Sequence, residues 1–115
     1  MDIKLYKLQV IKGKESVANE WLSFLDENRE TGAKLLKKEK AYLEVYFSAV
    51  EQDIMYVYMF FAAHDVNFSN QTAGESNDPL DKKHFEYMRN CIDLSAGDIM
   101  DCQFYIDNLE DFGKY

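Results

Sequence analysis

From Ile3 to Ile11 the chain alternates: Tyr6, Leu8 and Val10 fall on one side, and Ile3 and Leu5 with Lys7 and Gln9 on the other. A period of two is the signature of a strand with two unlike faces. After Gly13 the period changes, and from about Lys14 to Arg29 Val17, Trp21, Phe24, Leu25 and Asn28 recur at helical spacing, with Trp21 as a core anchor. The Gly32 region is expected to end this helix, and Ala33 to Lys38 to add a further turn packing Leu35 or Leu36. A second strand spans about Ala41 to Val50. Its more apolar set is Leu43, Val45, Phe47 and Ala49; the other set, Tyr42, Glu44, Tyr46 and Ser48, is aromatic but polar-tipped. The turn Glu51-Gln52-Asp53 then leads as a hairpin into Ile54–Ala63, which contains no charge, glycine or proline. Rich in β-branched and aromatic residues, this run reads as a central strand covered on both faces.

Residues 64–75 are polar, with Phe68 the one large anchor, and read as a loop or weak helix. Asp78-Pro79-Leu80-Asp81 is a helix start: Asp78 suits the N-cap, Pro79 the first turn, and Asp81 the positive end of the dipole. The helix runs to about Ile92 with Leu80, His84, Met88 and Cys91 on its apolar stripe, beside Phe85 and Ile92. A last strand, Ile99 to Ile106, is expected to turn Met100, Cys102, Phe104 and Ile106 toward the helices and Ile99, Asp101, Gln103 and Tyr105 away. The order is therefore β-α-β-β-α-β. This predicts an α+β, ferredoxin-like fold: a four-stranded antiparallel sheet with both helices on one face. A single domain over residues 1–115, with an acidic tail at 107–115, follows.

The open sheet face changes the picture from fold to assembly. It is expected to carry Ile3, Leu5, Lys7 and Gln9; Tyr42, Glu44 and Tyr46; Ile54, Tyr56, Tyr58 and Phe60; and Asp101, Gln103 and Tyr105. Tyr56, Tyr58 and Phe60 alone would present roughly 450–750 Å², beyond the roughly 300–600 Å² of an ordinary monomer's largest apolar patch. A homodimer packed sheet to sheet is the expected partner arrangement.

Composition narrows function by exclusion. A net charge of −8 argues against nucleic acid and anionic membranes. Met1-Asp2-Ile3-Lys4 enters a strand pattern directly, so no export signal is expected, and no run is apolar enough to span a bilayer. Cys91 and Cys102 are expected to be reduced, buried core residues of a cytoplasmic protein. Without a Cys-x-x-Cys or clustered histidines, no metal and no cofactor is expected. The basic run Lys34, Lys37, Lys38 and Lys40 reads as a solvated face.

The candidate site residues are Glu44 and His84, with Tyr42, Tyr46, Tyr56, Tyr58 and Gln103 as ligand-binding walls. Glu44, a carboxylate between two tyrosines on a face that must be covered, needs a partner or a function. An ion pair with Lys7 or a hydrogen bond across subunits is the structural alternative. His84 is either a satisfied core histidine or an acid/base group at a cavity edge. Two functions follow: a metal-independent small enzyme or small-molecule binder using this cavity, or a non-catalytic homodimer without a ligand.

Tyr42-Leu43-Glu44, the run Tyr56-Val57-Tyr58-Met59, and Asp78-Pro79-Leu80-Asp81-Lys82-Lys83-His84 carry a resemblance. The chain resembles the dimeric α+β barrel superfamily, and within it a small uncharacterised bacterial and archaeal family of unknown function. The resemblance implies ferredoxin-like subunits whose sheets face each other in a dimer. That family shows a His-Pro-Ile-Asp-x-x-His pattern; here Asp78 stands in place of the first histidine.

Overall fold

A computed structural model describes residues 1–115. Four strands form one antiparallel sheet: β1 (Asp2–Gln9), β2 (Ala41–Glu51), β3 (Ile54–Ala63) and β4 (Asp98–Asp101), in the order β2-β3-β1-β4. The helices are α1 (Glu15–Glu27), α2 (Arg29–Lys38), α3 (Val66–Gly74) and α4 (Pro79–Cys91). The expected fold is thereby found: an α+β, ferredoxin-like sheet with β3 in its interior. No helix is long and apolar enough to cross a membrane.

Local chemistry accounts for the element boundaries. Asp78 accepts from the backbone N–H of Leu80 at 2.8 Å and Pro79 opens α4, as the sequence indicates. Asp65 caps α3 by accepting from Phe68 N–H. The first helix does not end at Gly32. The break comes at Asn28, whose amide turns back to the Phe24 carbonyl at 2.8 Å, and α2 then runs straight through Gly32. An Asn side chain that competes for a nearby carbonyl interrupts a helix more effectively here than a tolerated glycine does.

The β2–β3 hairpin turns through Gln52 (φ 52°) and Asp53 (φ 66°), both left-handed, as a type I′ turn requires. Register along β3 decides which side chains meet the helices. Met55, Val57, Phe61 and Ala63 are buried with Val10, Ala18, Trp21, Val66, Cys91 and Ile92 in two core clusters. Ile54, Tyr56, Tyr58 and Phe60 therefore face the open side, as expected.

The other two face assignments were inverted. Glu44 lies opposite Phe61 and Tyr46 opposite Met59, so these β2 residues point to the helices; Val45 and Phe47, opposite Phe60 and Tyr58, point away. A register irregularity between Ala41 and Leu43 leaves Tyr42 exposed at the strand's start. In β4, Met100 lies opposite Leu5 and so belongs to the open face, while Ile99 and Asp101 share the parity of Tyr6 and Lys4. The strand stops at Asp101, so Gln103, Phe104, Tyr105 and Ile106 belong to no sheet. Cys91 is buried as expected, but Cys102 is exposed.

Candidate functional site

The inversion of β2 moves the candidate site from the open face to the inside. Between helices and sheet lies a cavity of about 740 Å³. Its apolar wall comes from α1 (Trp21, Leu22, Leu25), β3 (Met59, Phe61) and α4 (Leu80, Phe85); its polar groups are Glu39, Glu44, Tyr46, Asp81 and His84. An apolar chamber with a few convergent polar groups is the usual anatomy of a small-molecule site.

Each polar group is placed by its element. Tyr46 stands on β2 with its ring edge-on to Trp21 (centroids 5.8 Å, interplanar 82°), and its hydroxyl donates to Glu44 Oε1. Asp81 and His84 sit three residues apart on α4, and so on one helix face. The indole N–H of Trp21 donates to His84 Nδ1 at 2.9 Å. A neutral imidazole that accepts at Nδ1 carries its proton on Nε2. Burial pushes the imidazole down to about 4, which keeps it neutral at physiological pH. Glu39 follows α2 and is drawn inward where Ser69 Oγ of α3 donates to its backbone carbonyl at 2.7 Å.

The electrostatics of the carboxyls set this cavity apart. Glu39 is 8% exposed and Asp81 7%, and neither side chain has a hydrogen-bond donor or an ion-pair partner. No buried side-chain oxygen is left wholly enclosed and unpartnered, so the free carboxyl oxygens look onto the cavity space. Burial, with Asp81 and then Glu44 nearby, pushes the Glu39 carboxyl up to about 7. Burial also raises Glu44, against the lowering effect of its hydrogen bond from Tyr46. Tyr46 is raised well above the usual phenol range, by burial first and then by the Glu44 charge. No three acidic, histidine or cysteine side chains come together closely enough to hold a metal ion.

Of the residues singled out from sequence, the structure brings together Glu44, Tyr46 and His84. It separates the others. Tyr56 and Tyr58 lie on the open face, Tyr58 donating to Glu51 and Lys7 Nζ lying 4.3 Å from the Tyr56 ring centroid. Lys7 pairs with Glu51 at 3.1 Å, not with Glu44. Tyr42 borders a separate hollow with Lys37, Lys40 and His64, and Gln103 is exposed beyond β4. Trp21, expected only as a core anchor, stands at this site, and so does Glu39, which is not among the expected site residues. Asp81 is expected only as a dipole partner, although Asp81-x-x-His84 signals that the two share a helix face. Glu39 had no such local signal.

No curated protein and no solved structure matches this chain significantly. A family model does match, over residues 1–108, and the chain therefore belongs to that family, described as a family of unknown function (DUF6176).

Proposed function

We propose that the helix–sheet cavity binds a small organic molecule with a protonated amine and an apolar body. The observation that carries this reading is the pair Glu39 and Asp81, buried at the cavity wall beside Glu44 with no cation of their own. Buried carboxylates are ordinarily paired, because an unpartnered charge in an apolar site is costly. An ammonium donates three hydrogen bonds and would satisfy them, while Leu22, Leu25, Phe61 and Phe85 take the apolar body. Glu44 and His84 are the groups we assign to proton exchange with the ligand: Glu44 because its pKa is raised, and His84 through Nε2, since Nδ1 is held by Trp21.

Trp21 is the chain's one tryptophan and packs behind the cavity wall against Tyr46 and His84, so its fluorescence responds when the cavity is filled. Apolar primary amines are expected to change that emission saturably, whereas carboxylates and alcohols of the same shape leave it unchanged. Asp81→Asn should weaken amine binding at least tenfold. Affinity should rise with pH through about 7, as Glu39 loses its proton. Equal binding of the matching carboxylate, or no response to any amine, would overturn the proposal.

A second reading has its own support. The open sheet face leaves Phe47 more than half exposed, Leu43 half exposed and Met100 partly so, which favours a homodimer of the dimeric α+β barrel type whether or not a ligand binds.

A further inference from the structure

Residues 102–115 leave the sheet and form no strand ladder with the rest of the chain. β4 ends with Asp101 opposite Lys4. Continued in register, Cys102 to Phe104 would pass Ile3, Asp2 and Met1, where β1 runs out. The hydrogen bonds this segment makes are internal, such as Cys102 Sγ to the Phe104 carbonyl and Asn108 Nδ2 to Asp111. Yet it carries Phe104 (77% exposed), Ile106 (91%), Leu109 and Phe112, all turned to solvent. The radius of gyration, 14.8 Å, exceeds the roughly 13 Å of a fully packed chain of this length, as a projecting arm requires.

We propose that this arm is exchanged between two copies of the chain. The extended part adds as a strand to the free outer edge of β2 in the second copy, and its acidic turn lies against that copy's Lys37 and Lys40. The edge is available: β2 pairs only with β3, so its outer backbone groups from Ala41 to Glu51 have no ladder partner. Unpaired edges of this length are templates for strand addition. Beside the edge lies the hollow floored by Ala33, Leu36, Ala41 and Tyr42 and rimmed by Lys37, Lys40 and His64. Its occupant should be apolar and anionic. The arm is both, alternating its apolar anchors with Asp107, Glu110 and Asp111.

The arm does not pair with its own β2: β2 and β4 are opposite edges of the sheet, about 14 Å apart at 4.7–4.9 Å per strand, and the outer side of β2 carries no partner strand. Two-fold symmetry makes the exchange reciprocal. The two aromatics of each arm, Phe104 and Phe112, at about 150 Å² each supply roughly 600 Å² over two arms, to which Ile106, Leu109 and the covered β2 edge add on the way to the roughly 1,200 Å² of a small stable interface. The inference goes beyond sheet-face packing, because it assigns the contact to a named segment and a named edge.

The test uses the full chain. Phe104→Asp with Ile106→Asp removes anchors that are mostly exposed in their own subunit, so helicity and melting of the isolated subunit should stay unchanged. Light scattering should show the wild type as a dimer and this variant weakened at least tenfold in self-association. Equal parts of ¹⁴N- and ¹⁵N-labelled wild type, unfolded together, refolded and then joined with a carbodiimide, should give mixed-isotope peptides linking Asp107, Glu110 or Asp111 to Lys37 or Lys40. A monomeric wild type, an undiminished dimer in the variant, or cross-links confined to same-isotope pairs would each overturn the exchange.

Discussion

Glu39 and His84 lie in one cavity but act on stability in opposite directions with pH. The Glu39 carboxyl is raised from 4.5 to about 7. Its contribution is therefore fully present below its unfolded pKa and is lost as pH climbs through about 7. The full shift corresponds to about 3 kcal/mol, or about 1–3 kcal/mol once water in the cavity screens it. His84, lowered from 6.5 to about 4, contributes stability above 6.5 that is lost as pH falls through about 4. Glu39→Gln should thus be close to wild type at pH 4 and more stable by about 1–3 kcal/mol at pH 8, as read from denaturant melts at the two pH values. Replacing His84 by Leu removes the acceptor of the buried Trp21 N–H, an unsatisfied donor costing about 1–3 kcal/mol; the same melts should show a loss at pH 8. Glu44→Gln discriminates function from scaffold. Glu44 has no cation beside it, so the substitution should be neutral or stabilising near pH 7. A loss of about 3–5 kcal/mol would mark Glu44 as one half of a buried ion pair instead.

The same logic extends to elements, where two backbone positions carry the strand connections. Gly97 (φ +102°) precedes β4, and a Cβ there would stand 2.3 Å from the Lys7 carbonyl oxygen. Gly97→Ala should detach β4 from β1, and exchange of the amides of Lys4 to Lys7 should accelerate. Asp53, left-handed in the type I′ turn, is the converse case: Asp53→Gly relieves φ strain where glycine is preferred, and should raise the melting temperature rather than lower it. These elements also show what could be read in advance. β3, the hairpin and the start of α4 were legible because an unbroken apolar run, a short polar turn and an Asp-Pro cap each answer to one local cause. The faces of β2 were not. Leu43, Val45 and Phe47 look like core and Glu44 with Tyr46 like surface, but here the helices enclose a polar-tipped chamber while the apolar set faces outward. Alternation gives two faces without saying which one the helices cover. The alternation runs on through Phe104 and Ile106, but β4 stops at Asp101, opposite Lys4, and β1 itself ends two residues further at Asp2. Alternation in one strand does not show how far its neighbour will pair.

At the scale of the whole molecule, the apolar face turned outward is the feature to explain. Leu43 and Phe47 on β2 and Met100 on β4 are exposed to differing degrees, with Leu5, Val45, Tyr56 and Phe60 half-buried among them. A second copy packed against this face would desolvate them together, with Lys7, Glu51 and Tyr58 already satisfied as a hydrogen-bonded group within each subunit. Phe47→Asp isolates that contribution. Phe47 is 56% exposed in the single chain, so the carboxylate enters water there and the subunit's own melting should change by less than about 0.5 kcal/mol. In a sheet-to-sheet dimer the same carboxylate would be buried without a partner, at a cost of several kcal/mol to association. Light scattering should therefore give the wild type a mass near twice 13.5 kDa and the variant a mass near that of one chain at the same micromolar concentration. If Phe47→Asp leaves the dimer intact while the arm variant dissociates it, the contact is made by the arms alone and the open face must be covered by something else.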